Sequence, residues 1–324
     1  MKITIGKQES NWRLDKLIAQ KFPQLSRTFI KEQVKSGRIL VNEKPVKPSY
    51  ELRENDTVVF TLEFTVSQKE RKILPNPEIK LNIIYEDQDV IVINKPAGLQ
   101  VHPRQDKNGL PLISELDSTL ASGLLAHYPN IADVGDSPAL RPGIVHRLDK
   151  DTSGVMIIAK NQLAFDWLKK QFQERKVAKK YIALVAGKPK ENEGEIKNLL
   201  ARSSSDPTKQ KALPWDVKVK DGSREAITEY QVIKDLGDFT LLEAHPKTGR
   251  LHQIRVQFAA LGLPVAGDSK YGGKTRQKPQ GLARQFLHAQ KLKITLPAGE
   301  NKAFFAPLAQ DLRETLEGLE KNLD

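Results

Sequence analysis

The segment spanning residues 141–159, RPGIVHRLDKDTSGVMIIA, constrains the fold more than any other. Residues 146–151 hold two acids, Asp149 and Asp151, and three groups that can carry positive charge, His146, Arg147 and Lys150. Apolar runs flank this knot on both sides. Unpaired charge inside an apolar interior is costly, so the knot cannot lie within a buried element. The apolar flanks demand burial. The pattern predicts two buried strands joined by a short charged loop, with Thr152, Ser153 and Gly154 turning the chain into the second strand. Loops held between rigid strands are where scaffolds present chemistry.

The surrounding segments alternate irregularly between strand and helix. Residues 83–85 and 90–94 are strand-like, and a turn follows at residues 95–98. Residues 112–125 have helical character inside a Gly-, Ser- and Pro-containing stretch. Residues 161–175 predict a helix with Leu163, Trp167, Leu168 and Phe172 on one face. KYIALVAG reads as a strand, and AITEYQVI as a half-buried strand leading to a hairpin at residues 236–238. A helix beginning at Thr248 or Gly249 places Leu251, Ile254, Phe258 and Leu261 at helical spacing. Strict strand–helix–strand alternation is absent, so a doubly wound parallel sheet is not expected. The fold class is α+β, with a mixed, mainly antiparallel sheet in the large domain.

The first 63 residues form a smaller α/β unit. Residues 12–21 show helical spacing at Leu14, Leu17 and Ile18, and Pro23 ends the run. Ser26 can cap a second helix over residues 27–35, and Gly37 suits its end. Short strands follow. Arg27, Lys31, Lys35 and Arg38 gather at and after the second helix. Residues 64–80 are charged, contain two prolines and read as a connector. The expected organisation is 1–63, a linker over 64–80, and 81–324.

With 324 residues the chain is long enough for about two domains. Its 52 basic against 40 acidic residues give a net charge of +12, which favours a polyanionic partner such as nucleic acid. It has no cysteine, which excludes disulfides, thiolate metal sites and cysteine nucleophiles. No apolar run approaches the roughly 18 residues of a membrane span. The absence of cysteine, and of a signal-like start, fits the cytoplasm.

Familiar catalytic motifs fail on spacing. GDSKYGGKT suggests a phosphate loop, but the required first glycine falls on Asp268. The six histidines form no HExxH pair, and no metal site is expected. No G-x-S-x-G elbow occurs. Asp149 and Asp151 stand too close in one loop for the two acids of a glycoside hydrolase. Asp149 remains, flanked by Arg147 and Lys150, whose charges favour an ionised carboxylate suited to a nucleophile or base.

Five blocks occur in one order: VINKPAGLQVHP, RPGIVHRLDKDTSGVMIIAKN, KKYIALVAG, KTGRLHQIRVQFAALGLPVAGDSKYGG and FLHAQKLKITLP. Together they resemble the RNA pseudouridine synthases of the RluA/RluD type. The N-terminal helix–helix–strand pattern resembles the S4 RNA-binding domain, which precedes the catalytic domain in the RluD subgroup. The resemblance implies an isomerase that converts specific uridines of structured RNA, most often 23S-type ribosomal RNA, by flipping out the base. It implies Asp149 as catalytic aspartate, Arg255 as its cationic partner, Tyr181 as the ring against the target base and Arg147 as a target-binding residue. Arg27, Lys31, Lys35 and Arg38 become RNA-binding candidates. No cofactor, metal or membrane is implied, and a monomer is expected. Gln257 stands where the family often has histidine. The alternative reading is a non-catalytic RNA-binding or ribosome-assembly protein on the same scaffold.

Overall fold

The computed structural model describes residues 2–22, 27–60, 72–105, 110–206, 208–216, 222–273 and 278–321, with the side chains of 27–29 and 32 excepted. Pro23, the capping Ser26 and residues 64–71 of the connector lie outside the described residues. Two compact units emerge. One comprises residues 1–79, 102–126 and 139–141, and the other residues 80–101, 127–138 and 142–324.

In the first unit, β1 (Lys2–Thr4), α1 (Leu14–Lys21), α2 (Arg27–Lys35), β2 (Ile39–Val41) and β3 (Thr57–Phe60) follow in order. The strands form an antiparallel sheet in the order β1-β3-β2. Leu14, Leu17 and Ile18 of α1 and Ile30 and Val34 of α2 close over Val41 and Val58 in one core. This is the burial that the spacing of those residues demanded. At the end of α2 the Gly37 amide donates to the Val34 carbonyl and the Arg38 amide to the Gln33 carbonyl. Gly37 has φ +72°, the left-handed conformation such a helix stop requires. Lys31, Lys35 and Arg38 are exposed, while the side chain of Arg27 lies outside the described set. Residues 112–125 are less helical than their pattern predicts. A 3-10 turn (Ile113–Glu115) and α3 (Leu120–His127) are separated by an irregular stretch, and Ile113 packs on the small core.

The second unit is built on one sheet. Its elements are β4 (Ile83–Glu86), β5 (Val90–Lys95), β6 (Ser153–Ala159), α4 (Gln162–Gln173), β7 (Ala178–Ala186), β8 (Glu193–Arg202), β9 (Gln210–Leu213), β10 (Arg224–Leu236), β11 (Phe239–Pro246), α5 (Gln253–Ala260), β12 (Leu287–Thr295), β13 (Asn301–Phe305) and α6 (Gln310–Lys321). The sheet order is β4-β5-β6-β12-β7-β11-β10-β8-β9, with β13 paired to β12. Only β6 against β12 is parallel among the described pairs. Every residue of β6 is buried, which explains why it reads as an unbroken apolar run rather than an alternation. The fold is α+β with a mixed, mainly antiparallel sheet.

Three expectations need correction. The apolar lead-in before the charged loop is buried but is not a strand. It meets the sheet through an isolated bridge, Ile144 to Ile158, beside which the Gly143 carbonyl accepts the Ala159 amide. In α4 the buried face is Ala164, Phe165, Leu168 and Gln171, whereas Leu163 is 84% exposed. Asn161 sets this phase by accepting the Ala164 amide while its own amide donates to Asp89. α5 begins at Gln253 rather than at Thr248, and Leu251 and Leu261 are exposed. His252, at φ +56°, breaks the helical path just before it.

Candidate active site

The charged loop between Gly143 and β6 is held at successive backbone carbonyls. The Asp149 carbonyl accepts the Thr152 amide at 3.1 Å, forming a tight turn. The Lys150 carbonyl accepts the Lys95 ammonium at 3.0 Å, and the Asp151 carbonyl accepts Arg284 Nη1 at 3.0 Å. Lys95 and Arg284, both distant in sequence, thus pin two successive carbonyls, and the local turn fixes the one before them. On the other side, His146 Nε2 accepts the Ile157 amide of β6 and its ring stacks on Phe172 of α4, 4.6 Å between centroids. Leu148 is buried beneath the loop. A carboxylate carried by such a loop keeps its position without help from substrate.

Lys95 reaches this loop from the end of β5 and is fully buried. Its Nζ donates to the carbonyls of Pro96, Leu99 and Lys150 at 2.6, 2.8 and 3.0 Å. Burial draws its pKa down to about 7, against the opposing pull of Asp151 and Asp149. Arg284 anchors the opposite side. Its Nε and Nη2 grip Asp311 of α6, and Nη2 also donates to Ser153 Oγ. Ser153 Oγ meets His288 Nδ1 at 2.9 Å, and His288 Nε2 meets the Ala306 carbonyl at 3.1 Å.

Asp149 projects from the pinned loop with its side chain 16% exposed. Arg255, on the buried side of α5, donates Nη1 to Asp149 Oδ2 at 2.7 Å. The same guanidinium donates Nε and Nη2 to Asp268 at 2.7 and 2.9 Å. Asp268 is in turn fixed by the amides of Lys270 and Tyr271. Burial alone pushes the Asp268 carboxyl up, but the hydrogen bonds and charge of Arg255 outweigh it and hold it below the usual range. Burial alone likewise lowers the proton affinity of Arg255, and its two carboxylates reverse that.

His252 and Tyr271 complete the shell. The Tyr271 oxygen accepts the Gln210 amide at 2.8 Å and lies 2.8 Å from His252 Nδ1. His252 Nε2 lies 3.9 Å from Asp149 Oδ1. Burial pushes His252 down to about 4, so the ring is neutral at ordinary pH. Tyr181 lies on β7, paired to Ala244 of β11 and Ala289 of β12. Its ring packs on the cluster that contains Ile254 and Phe258 of α5. Burial, then the charge of Asp149, push its hydroxyl well above the usual range.

The structure thus joins Asp149 and Arg255 directly and sets Tyr181 within the field of Asp149. Arg147 is exposed on the same loop. Gln257 is buried and uses both ends of its amide, accepting from Thr228 and donating to the carbonyls of Ile196 and Ala226. Sequence reading missed Asp268, Lys95, Arg284 and Tyr271. Asp268 drew notice only as the residue that breaks a phosphate-loop spacing. A carboxylate next to a glycine turn, 13 residues after an arginine inside an apolar helix, is the signal that marks it.

The RNA pseudouridylate synthase family matches residues 89–260, and the S4 domain matches residues 12–58. The chain belongs to the RNA pseudouridylate synthase family and is an isomerase of the RluA/RluD type with an N-terminal S4 domain. It is 37% identical to an uncharacterized RNA pseudouridine synthase, YlyB, of Bacillus subtilis (strain 168), over 99% of this chain and 98% of that one. It is 36% identical to ribosomal large subunit pseudouridine synthase D of Escherichia coli O6:H1, over 97% and 92% of the two chains. Among solved structures, human RNA pseudouridylate synthase domain containing 1 matches with a TM-score of 0.55 at 25% identity, covering 76% of this chain and 98% of that one.

Proposed function

We propose that this enzyme isomerises uridines of large-subunit ribosomal RNA, with Asp149 as its essential group. The observation that carries the reading is the direct ion pair between Asp149 and an Arg255 that is itself clamped by Asp268. Isomerisation breaks the C1′–N1 bond and forms C1′–C5. C5 loses its proton, N1 gains one, and the base never leaves the pocket. The step begins with an ionised carboxylate engaging the nucleoside, at C1′ or at a sugar proton. A guanidinium at 2.7 Å fixes the direction of the Asp149 carboxylate.

A uracil within a folded RNA is out of reach of any such group, so the target nucleotide is flipped from its stack. The Tyr181 ring offers a face to the extruded base and replaces lost stacking, worth about 1–3 kcal/mol. Arg147, exposed on the Asp149 loop, contacts the target strand. Arg27, Lys31, Lys35 and Arg38 grip phosphates from the S4 domain, giving affinity and orientation rather than base identity. The functional boundaries follow as an RNA-binding module over 1–63, a connector over 64–80 and a catalytic module over 81–324. The protein works as a monomer in the cytoplasm. The ribosomal target is supported by the names of relatives such as the Escherichia coli enzyme.

Tritium release from RNA carrying 5-³H-uridine tests the reading. Wild-type protein releases tritium from unmodified large-subunit ribosomal RNA, and Asp149→Ala does not. Equal release by the two, or none by the wild type, overturns it.

A further inference from the structure

Near the Asp149 loop, four cations gather around Glu225 and residues 248–250. Lys179 and Tyr181 stand two residues apart on β7 and therefore share a face of the sheet. Lys179 Nζ donates to the Thr248 carbonyl at 3.0 Å. Arg250 follows in the same loop, two residues before His252, and its Nε donates to the Glu225 carbonyl at 3.0 Å. Arg224 adjoins Glu225 at the start of β10. Arg175, at φ +58° just past α4, meets the Glu225 carboxylate at 3.5 Å.

The loop that carries Arg250 is rigid. Buried Gln253 accepts the Thr248 hydroxyl at 2.6 Å and the Arg250 amide at 3.0 Å, and it donates to the Ile227 carbonyl and the Thr228 hydroxyl. The fold therefore holds Arg250 in place against the start of β10. Burial first, then the charges of Arg224 and Arg175, lower the proton affinity of Arg250. Burial, then Arg250, bring Lys179 down to about 8. Burial first, then the charge of Lys179, depress His146 at the base of the Asp149 loop. Clustered like charges are destabilising in the free protein, and an anion relieves that cost. In an enzyme acting on RNA, phosphate is the anion at hand.

We propose that Lys179, Arg224 and Arg250, with Arg175 beside them, bind backbone phosphates of the RNA strand that flanks the nucleotide presented to Asp149. The site differs from the S4 domain in task. It holds the strand next to the flipped position, so that extrusion of the base is coupled to anchoring of its neighbours. The proposal rests on Asp149 marking the position of the target nucleotide.

The test is the salt dependence of binding to an unmodified transcript of large-subunit ribosomal RNA, measured in an Asp149→Ala background so that no turnover occurs. Each lost phosphate contact reduces the slope of log affinity against log salt by about 1 between about 50 and about 200 mM KCl. Arg224→Gln and Arg250→Gln each show that reduction, Arg224→Lys keeps the parent slope, and Lys188→Gln, in a pair with Asp235, keeps it as well. Unchanged slopes in both glutamine variants overturn the proposal, whether or not affinity falls, since a weaker complex with the same slope signals a packing defect. An equal reduction in Lys188→Gln overturns it as a diffuse charge effect, and so does absence of binding by the parent. Tritium release by the Asp149-containing protein is read separately. Release with unchanged slopes removes the phosphate site alone, and reduced slopes without release remove the isomerase assignment alone.

Discussion

Arg255 bridges two carboxylates that the chain sets far apart, holding Asp268 with Nε and Nη2 and Asp149 with Nη1. The planar fork allows this because its donors point in fixed directions, which lysine cannot reproduce. Arg255→Lys is expected to lower kcat by roughly 10²–10³-fold, the scale of losing one aimed electrostatic contact. Asp268→Asn leaves Asp149 and Arg255 intact but frees the guanidinium to turn, and a misplacement near 1 Å costs about 10²-fold. Both variants are to be read by single-turnover tritium release at saturating RNA, with binding measured alongside. A loss confined to KM argues against positioning.

Lys95 ties the Asp149 loop to the turn after β5 through three carbonyls. Lys95→Met keeps the apolar stem and leaves those acceptors unpaired in a buried site. The expected loss is roughly 2–4 kcal/mol of stability, since each unsatisfied buried group costs about 1–3 and some acquire water. Urea unfolding gives the stability, and kcat at a temperature where the variant is folded gives the looseness of the loop.

Gly154 has φ +125°, and a Cβ there meets the Ala289 carbonyl oxygen of β12 at 2.2 Å. That atom is backbone and cannot step aside, so Gly154→Ala must open the parallel β6–β12 pairing or bend the Asp149 loop. Strain and overpacking together are expected to cost about 2–5 kcal/mol. Thermal unfolding measures it. By contrast Gly98, with nothing within 4 Å of a built Cβ, bears only the conformational cost of its φ of +81°.

His146 and His252 give the protein an acid limit. Burial pushes them to about 3 and about 4, below the ordinary value of 6.5. The unfolded chain takes up protons below 6.5 that the folded one refuses, so stability falls as pH drops from 6.5 towards these values and is unaffected by them above 6.5. For His252, with its side chain 10% exposed, the slope is about 1.4 kcal/mol per pH unit down to its folded value. Urea midpoints between about pH 7 and about pH 4.5 check the sign, and His252→Asn is expected to flatten the curve. His146, with its value near 3, stays neutral across this range and keeps its bond from the Ile157 amide.

Much of the architecture was legible in the chain. Ile30 and Val34 mark the inner face of α2, Gly37 its stop, and the residues around Gly237 a hairpin, because these features depend on neighbours a few positions away. The α4 stripe was misread because helical spacing constrains a face only to within a rotation. Leu163 and Ala164 satisfy neighbouring phases, and the cap at Asn161 chose between them. The start of α5 was misread because Thr248 and Arg250 are drawn into the Gln253 network instead of into helix.

The same division holds at the site. The charged knot at residues 146–151, between apolar runs, dictated a loop with Asp149 in it, since local burial and local charge cannot be reconciled any other way. The order of the five blocks carried the family. The family resemblance paired Arg255 with Asp149; what the sequence could not supply was that Lys95 and Arg284, from two other remote segments, converge on this loop, and that Asp268 stands behind Arg255. Such contacts depend on strand order and on the packing of α5 and α6, quantities that have no period along the chain. Only the tertiary fold decides which distant charges meet.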